Sequence, residues 1–355
     1  MTEVLDAFDD IARWHTVLHK FPAQCRDIYF SPEYVRLHLF EPRDRALLFT
    51  YQEGQHVWAY PFILRPIERI GEILLKDQWF DIESAYGYGG PLSTTDIPDF
   101  IEKANFAFAS WGAEQRVVAE FIRLHPLLPG RKWLTDCWEV TCDRETVSLD
   151  LARLDAHKLL FSSKTRNKLR RAERAGVSVA AYPASTTFDQ FLQLYRCTMQ
   201  RLGADDYYYF SENYFLGLSQ LIQDNGWLYA ATLGDEWISA ALFLKGQTWM
   251  HYHLSGSDPG RRVPGTTNLV LLTAAQVGRR EGFERLHLGG GRTTETDDSL
   301  LQFKRSMGTD THPFYIAKRV HNAEAHAQLC DIWAKRYPNL VTKYETRMLC
   351  YRHTL

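Results

Sequence analysis

Lys304 lies in a largely apolar segment, Ser299–Gly308 (SLLQFKRSMG), directly after Phe303. A lysine held in such a setting supplies a fixed positive charge, which can stabilise a developing oxyanion or bind a phosphate. The same side chain can instead be a surface lysine whose methylene stem packs on apolar neighbours. The segment therefore makes Lys304 a candidate for such a charge, and the surface interpretation stays open.

A polar, glycine-rich segment lies upstream at Gly256–Asn268 (GSDPGRRVPGTTN), between a predicted strand and a predicted helix. Backbone N–H groups and the positive end of the helix dipole favour an anion at such a point. A turn with a helix cap at Thr266 or Thr267 explains the same pattern. The candidate anion-binding residues are Arg261, Arg262, Gly265 and Asn268.

A run of three glycines, beginning with Gly289 and Gly290, ends a later predicted strand. The residues that follow, Arg292–Asp298 (RTTETDD), do not resemble the start of a helix, so the run is not a dinucleotide fingerprint. Glycines at a strand end let a ligand approach the backbone closely, and a flexible turn is the alternative. The acidic residues just beyond are candidate general bases or solvated loop residues: Glu295, Asp297 and Asp298.

His251 and His253 are two residues apart on a predicted strand, which places both rings on one side of it. This spacing can ligate a metal, but no third ligand follows at a recognisable spacing. We therefore expect no metal, and aromatic packing or substrate contact is favoured for these rings. A nucleophile elbow, a Walker loop and an HExxH motif are all missing from the sequence, so covalent catalysis is not supported.

The composition limits the class of protein. The chain has 355 residues, enough for two domains, with 41 Lys+Arg and 43 Asp+Glu for a net charge of −2. Near-zero net charge argues against nonspecific wrapping of nucleic acid, which needs a broad basic excess. We see no signal peptide, no spanning segment and no CxxC pair among the six cysteines. We therefore expect a soluble cytoplasmic protein with reduced thiols.

The predicted secondary-structure elements follow the same order in the two halves of the chain. Arg45–Tyr51 and Val57–Pro66 are predicted to form a hairpin, and so are Gly226–Leu233 and Trp237–Lys245. A Tyr- and Gly-rich segment, a long helix and another strand are predicted after each hairpin. The later elements are predicted at 86–92, 98–123 and 147–151 in the first half and at 252–258, 267–281 and 283–288 in the second. This order indicates a duplication at a spacing of about 180 residues, with each half a mixed sheet.

A basic segment separates the halves. Lys164–Arg174 (KTRNKLRRAER) has six basic residues and one acidic residue, and it is predicted to be a helix that ends at Gly176. Its cations could bind phosphates, or they could form a solvated helix face. After about Thr311 we predict a strand at 314–320, a helix at 323–336 and a last strand at 347–352.

Taken in order, these segments resemble the FemABX family, whose members are aminoacyltransferases built from two GNAT-like domains. The markers are Tyr86–Leu92 (YGYGGPL), Lys164–Val177, Leu194–Arg201 (LYRCTMQR), Tyr252–Asp258, and Phe283–Gly291 followed by Asp298–Gly308. The loop Arg262-Val-Pro-Gly265-Thr-Thr267 approximates the Arg/Gln-x-x-Gly-x-Gly/Ala pyrophosphate loop of GNAT acyltransferases, with Thr267 in place of the last small residue.

The resemblance implies a direct attack of an amine on an acyl donor, with no covalent enzyme intermediate and no permanently bound cofactor. In the family the donor is aminoacyl-tRNA and the acceptor is often a nucleotide-linked or lipid-linked peptidoglycan precursor. Lys304 and Phe303 would lie at the reaction centre, and Gly289 and Gly290 would join the loop residues at the donor. The implied acceptor and phosphate contacts are Tyr86, Tyr88, Tyr252, Arg201, Arg166, Arg170 and Arg171.

The implied fold class is α/β with mixed sheets, arranged as two tandem GNAT-like acyltransferase domains around a shared cleft. We expect residues 1–155 in the first domain, 156–180 in a basic helical connection and 181–355 in the second domain, with the last strand or helix packing on the first. The chain lacks a visible helical arm for tRNA and keeps a GNAT-like loop. Two alternatives therefore stay open: an acyl-CoA-dependent N-acyltransferase acting on an amino sugar or small amine, and a noncatalytic GNAT-like binding module.

Overall fold

A computed structural model describes residues 1–155, 161–205 and 208–354 of the chain. Their strands are β1 (Thr2–Asp6), β2 (Arg45–Glu53), β3 (His56–Ile70), β4 (Ile73–Glu83), β5 (Leu92–Ser93), β6 (Val117–Arg123), β7 (Glu139–Asp150), β8 (Val177–Tyr182), β9 (Gly226–Leu233), β10 (Glu236–Lys245), β11 (Trp249–Ser257), β12 (Arg285–Gly290) and β13 (Asp310–Val320).

The α-helices are α1 (Ile11–Leu18), α2 (Pro32–Val35), α3 (Pro98–Glu114), α4 (Ser163–Arg174), α5 (Ala184–Leu202), α6 (Glu212–Asn225), α7 (Thr266–Arg280), α8 (Ser299–Arg305), α9 (Ala323–Arg336) and α10 (Pro338–Tyr344). Short 3₁₀ helices occupy Ala23–Cys25, Ile28–Phe30, Arg36–His38, Gly130–Trp133 and Cys350–Arg352. No helix among the described residues is both long and apolar enough to cross a lipid bilayer.

The chain divides into two compact units. Unit 1 contains Met1–Cys25, Tyr29–Asp143 and Phe314–Leu355, and unit 2 contains Arg26–Ile28 and Arg144–Pro313. These limits differ from the expected boundaries. Residues 161–180, expected in a separate connection, belong to unit 2 because α4 packs there: its buried Leu169 joins the core of that unit. The rest of that expected connection, residues 156–160, lies outside the described part of the chain.

The sheet of unit 1 has the order β1-β2-β3-β4-β6-β13. All its neighbouring strands are antiparallel except β4 and β6, which run parallel and are joined through α3. Phe108 of α3 is fully buried and packs edge-on against Phe49 and Phe62 of the first hairpin. A crossover helix is required here because a tight turn cannot connect two parallel strands.

Unit 2 repeats this order with β8-β9-β10-β11-β12-β7. Again one neighbouring pair is parallel, β11 with β12, and α7 provides the crossover. Val270, Leu271 and Ala274 of α7 pack in a core that includes Phe243 and Leu286 of the sheet. The predicted mixed α/β class is therefore confirmed, and the two units share one topology.

Several predicted boundaries were wrong. The helix predicted at 98–123 ends at Glu114, and Val117–Arg123 forms β6, because Arg116 has a positive φ of 58° and apolar residues rich in valine follow it. The strand predicted at 347–352 is a set of tight turns ending in the 3₁₀ helix Cys350–Arg352, in which the Cys350 amide donates to the Arg347 carbonyl. The sequence patterns also missed β1 and β4.

Candidate active site

Lys304 lies on the inner face of α8, beside Leu301 one turn earlier, and is only 8% exposed. Residues three apart share a helix face, so the sequence Leu-Gln-Phe-Lys carries the lysine inward with the leucine. Its Nζ donates a hydrogen bond of 2.7 Å to the carbonyl oxygen of Gly290. Phe303 packs at the edge of the apolar core of unit 2. The structure thus brings two predicted elements together, the lysine and the glycine-rich strand end.

The end of β12 is shaped to receive this side chain. Its register with β7 shifts between His287 and Gly289, and Gly289 has a φ of 77°, which favours glycine. A Cβ on Gly290 would lie 2.8 Å from the carbonyl oxygen of Glu145, so the backbone of β7 excludes a larger residue there. The bulge and the close approach together position the Gly290 carbonyl for Lys304.

Asp298 organises the loop between β12 and α8. As the N-cap of α8, its Oδ1 accepts hydrogen bonds of 2.9 Å from the amides of Leu300 and Leu301. Its Oδ2 accepts from the amides of Arg292 and Thr293 at 3.1 and 3.2 Å. Burial opposes ionisation, but these four N–H donors outweigh it and hold the pKa of Asp298 below its usual value. Asp298 therefore acts as a cap, whereas Glu295 and Asp297 are exposed.

Arg144 fixes the same loop from β7. Its Nη1 donates hydrogen bonds of 3.2 Å to the carbonyl oxygens of Gly291 and Arg292. Lys304, Arg144 and Asp298 together bind successive backbone groups of the loop, which rigidifies it. Sequence analysis missed Arg144 because it lies more than 140 residues before the loop and no local motif marks it.

The protonation state of Lys304 is unusual for a lysine. Burial disfavours its charged form, Asp298 partly offsets this effect, and Arg144 adds to it, so the pKa of Lys304 falls to about 7. A carbonyl oxygen is the partner of its Nζ, and it carries only a partial charge. Near neutral pH this amine can therefore gain or lose a proton, which suits a group that meets developing charge.

The paired strands β11 and β12 separate next to the end of β12. The parallel pairing of β11 with β12 covers three residue pairs and ends at His251 with His287, although β11 continues to Ser257. Tyr252 follows directly, and its hydroxyl donates a hydrogen bond of 2.6 Å to Ser255 Oγ. Burial raises the pKa of Tyr252, so its hydroxyl stays protonated.

His251 and His253 do not form a shared pair of ligands. His251 Nε2 lies 2.8 Å from Asp27 Oδ2, and both side chains are buried. His253 Nε2 lies 2.9 Å from the hydroxyl of Tyr214, and burial with the nearby His251 lowers the pKa of His253 to about 3. The two rings therefore have different partners and different surroundings.

Several residues of the loop before α7, and the first turn of that helix, make contacts within the protein. Gly265 is the N-cap of α7 with a φ of 97°, and a Cβ there would lie 2.0 Å from the Lys168 carbonyl of α4. Arg261 forms an ion pair with Glu236, and Arg262 is exposed. Asn268 is buried, and its Nδ2 donates to the sulfur of Met307 at 3.2 Å. Gly265 thus brings the loop against the basic helix.

The exposed residues of α4 form a cationic face. Arg170 and Arg171 are exposed, while Leu169 and Ala172 are buried. Arg166 is half-buried, and its guanidinium donates to the Phe161 carbonyl. In the described part of the chain, Arg170 and Arg171 have no carboxylate partner within 4.0 Å. Arg201 lies exposed near the C-terminal end of α5.

Tyr86 and Tyr88 belong to an aromatic cluster in unit 1. The Tyr86 carbonyl accepts a hydrogen bond of 2.8 Å from Tyr34 Oη. The Tyr88 ring packs edge-on against Tyr29 and Phe314, with centroids 5.2 and 5.4 Å apart. Both residues are half-buried.

One family model matches part of the chain. Residues 161–305 match the family model described as an acetyltransferase (GNAT) domain. This range includes the loop before α7, the parting strands β11 and β12, and Lys304. This part of the chain is therefore similar to a GNAT acyltransferase domain.

One characterised protein is similar to part of the chain in sequence. The chain is 26% identical over 194 residues to the UDP-N-acetylmuramoylpentapeptide-lysine N(6)-alanyltransferase of Weissella viridescens, a match covering 52% of this chain and 56% of that protein. The matched region thus spans about half the length of this curated relative.

Two solved structures show the same fold. FemX has a TM-score of 0.67 at 12% identity, covering 92% of this chain and 99% of its own. A tandem GNAT protein from the clavulanic acid biosynthesis pathway has a TM-score of 0.51 at 11% identity, covering 90% and 98%. At these identities the similarity shows that the chain shares the fold of both proteins.

Proposed function

We propose that this chain transfers an aminoacyl group from aminoacyl-tRNA to an amine of a peptidoglycan precursor. The observation that carries the proposal is the buried Lys304, bound to the Gly290 carbonyl inside the GNAT-like region. The similarity to an alanyltransferase that acts on a UDP-linked muramoylpentapeptide supports the acceptor class. The donor is inferred from the family resemblance, supported by the exposed cations of α4.

The reaction needs positioning and charge rather than a covalent intermediate. The neutral amine of the acceptor attacks the ester carbonyl of the donor, and a C–N bond forms. The C–O bond to the tRNA ribose then breaks, the amine loses a proton, and the ribose hydroxyl gains one. Holding the reacting atoms about 3–3.5 Å apart supplies much of the rate. No resident cofactor or metal is needed in this scheme.

Lys304 would stabilise the negative charge that develops on the carbonyl oxygen. Removing one such electrostatic donor typically costs a factor of about 100–1,000 in rate. Its low pKa follows from the water-poor surroundings in which such a charge acts most strongly. Phe303, the next residue toward the N-terminus, would shield the same position from water.

The remaining predicted residues receive the roles that the family resemblance implies. Arg262, Gly265 and the N-terminus of α7 would bind phosphate of the donor, and Gly289 and Gly290 would let the acyl group approach the strand end. In unit 2 we assign acceptor contacts to Tyr252 and Arg201, and phosphate contacts to Arg166, Arg170 and Arg171. Tyr86 and Tyr88 of unit 1 stay predicted acceptor contacts that rest on the family resemblance. Arg261 and Asn268 would hold the loop, through Glu236 and Met307.

A transfer assay tests the donor and the acceptor together. Purified protein is incubated with UDP-N-acetylmuramoylpentapeptide and tRNA charged with a mixture of labelled amino acids. Label should move to the acceptor, and Lys304→Met should abolish most of that transfer. An Arg305→Gln variant, altered at the next residue of α8, is the matched control. Absence of transfer by a folded wild-type protein, with every charged tRNA and with lipid-linked acceptor, would refute the proposal.

A second candidate function is N-acylation from an acyl-coenzyme A. The acetyltransferase description of residues 161–305 and the loop before α7 favour it, since a helix N-terminus of this kind binds a pyrophosphate. The same assay with labelled acetyl-coenzyme A and an amino sugar distinguishes the donors. Label that moves only from the coenzyme would replace aminoacyl-tRNA with acyl-coenzyme A in the proposal.

A further inference from the structure

Two cysteines of unit 1 lie close together although they are far apart in sequence. Cys330 is in α9 and Cys350 begins the 3₁₀ helix Cys350–Arg352. Their sulfur atoms are 3.3 Å apart, within hydrogen-bond distance, and both cysteines are free thiols. From this geometry we propose that Cys330 and Cys350 are a redox modification site, at which a peroxide converts the two thiols into a reversible disulfide.

The surroundings of the pair favour sharing of one proton. The hydrogen bond between the two sulfur atoms lowers the pKa of the Cys350 thiol and raises the pKa of Cys330. His326, one turn before Cys330, places its ring nitrogens 3.8 and 3.9 Å from that sulfur. The His326 ring is held by the Met348 carbonyl, 2.9 Å from Nε2. A thiolate next to a second thiol is the arrangement that oxidation to a disulfide needs.

The reaction balances with a peroxide as the oxidant. The thiolate attacks one peroxide oxygen, the O–O bond breaks, and a sulfenic acid forms while hydroxide or an alkoxide leaves and takes up a proton. The second thiol then attacks the sulfenic sulfur, the S–O bond breaks, and water leaves. Two electrons pass from the two sulfurs to the peroxide. Cys350 is 2% exposed, so the partly exposed Cys330 provides the route of entry.

A crosslink here would hold the C-terminal segment on unit 1. Arg352, two residues after Cys350, donates to Asp81 of β4 at 2.8 Å and to the Pro66 carbonyl of β3 at 3.0 Å. The indole of Trp333, one turn after Cys330 on α9, donates to the His353 carbonyl at 2.7 Å. The disulfide would join the helix and the segment that these bonds already connect, and it would restrict their separation.

The test uses full-length protein and needs no activity. Reduced protein is treated with hydrogen peroxide, its remaining thiols are alkylated under denaturing conditions, and a non-reducing digest is analysed by mass spectrometry. We expect the wild type to lose two of its six free thiols, to give a peptide linking Cys330 to Cys350, and to regain six thiols with dithiothreitol. The Cys197→Ser variant, altered at an exposed cysteine, should form the same link.

Cys330→Ser should lose the link and leave Cys350 open to alkylation after denaturation. Tryptic cleavage after Lys343 and Arg347 should become several-fold slower in the oxidised wild type and stay unchanged in Cys330→Ser. Sulfinic acid at Cys330 without a linked peptide would overturn the proposal. A link between Cys137 and Cys142 in its place, or equal protection from trypsin in Cys330→Ser, would also overturn it.

Discussion

The two units share a strand order, but a buried ionisable group has charged partners in unit 1 and a backbone carbonyl partner in unit 2. In unit 1, Arg65 lies 2.9 Å from Asp81 and 2.7 Å from Glu83, and Arg352 also contacts Asp81. Burial opposes ionisation of the two carboxyls, but the arginines outweigh it and lower both pKa values. In unit 2, Lys304 has a carbonyl partner and a pKa of about 7. The carboxyl groups next to arginines stay ionised. The Lys304 amine, whose partner is a carbonyl dipole, can change its protonation state near neutral pH.

The two units also differ in the backbone hydrogen bonds that follow their parallel strand pairs. In unit 1 the segment after β4 stays bonded to the end of β6, because the Gly89 amide donates to the Arg123 carbonyl at 2.7 Å and the His125 amide donates to the Gly89 carbonyl. In unit 2 the pairing of β11 with β12 ends at His251, and Tyr252 and the glycine-rich strand end follow. In unit 1 backbone hydrogen bonds continue beyond the parallel strand pair, whereas in unit 2 the parallel pairing ends while β11 continues to Ser257.

The largest effect should come from breaking the charge network of unit 1. Asp81 is fully buried between Arg65 and Arg352, so Asp81→Ala leaves both arginines without that partner. We expect the free energy of unfolding to fall by about 3–5 kcal/mol, the usual cost of removing one partner of a buried pair. Urea denaturation followed by circular dichroism measures this change.

Asp77→Ala is the control, because Asp77 forms an exposed pair with Arg116 and its loss should cost about 1 kcal/mol or less. The lowered pKa of Asp81 means that its stabilisation is present above the ordinary carboxyl range and is lost as the pH falls through the folded-state value. The difference between wild type and Asp81→Ala should therefore shrink in acid. Equal stability of the two proteins at pH 7 would contradict a structural role for the network.

Lys304 should matter for transfer more than for folding. Lys304→Met removes the cation and keeps an apolar stem of similar length, so we expect the transfer rate to fall about 100-fold, as for loss of one electrostatic donor. Arg305→Gln removes a neighbouring cation that pairs with Glu145, and its rate should change less than threefold. Steady-state transfer assays measure the rates of the wild type and both variants, and circular dichroism checks that all three proteins are folded. A Lys304→Met variant with the wild-type rate would make Lys304 a structural residue.

The pH dependence of stability gives a test that needs no substrate. The pKa of Lys304 is lowered from 10.5 to about 7, so between these values the unfolded chain binds more protons than the folded one. Stability from this group should therefore rise with pH between 7 and 10.5 and be least favourable below 7. The free energy of unfolding of the wild type, relative to Lys304→Met, should increase from pH 6.5 to pH 9.5. A constant difference over this interval would show that Lys304 is not desolvated.

The sequence revealed local features better than distant ones. The hairpins, α4, α7 and α9 could be predicted because apolar periodicity and turn residues act over a few positions. Lys304 and Gly290 could be selected by residue type, although their 2.7 Å contact depends on a bulge in β12 and a cap on α8. Arg144, Arg352 and the pairing of β13 with β6 could not be predicted, because each depends on contacts between residues more than 140 positions apart.

Asp298 should affect both stability and transfer by a smaller amount. Asp298→Ala removes the cap of α8 and the carboxylate that holds the amides of Arg292 and Thr293. Loss of an N-cap costs about 1 kcal/mol, and the freed loop should lower the transfer rate about tenfold through Lys304. Asp297→Ala, at the exposed neighbour, is the control. If Asp298 were instead the general base, the rate would fall far more than the stability change explains, and the pH profile would lose its acidic limb.

The smallest effect should come from the exposed cations of α4. Arg170→Ala with Arg171→Ala should weaken binding of uncharged tRNA severalfold and reduce the slope of log affinity against log salt by about 1–2, as expected for two lost phosphate contacts. The matched control is Arg13→Ala with Arg43→Ala, because these surface arginines of unit 1 are already paired with Glu3 and Glu68. Filter binding at several salt concentrations measures both quantities. An unchanged slope would remove α4 from the donor site, and it would leave the contrast between the units resting on Lys304 and the parted strands.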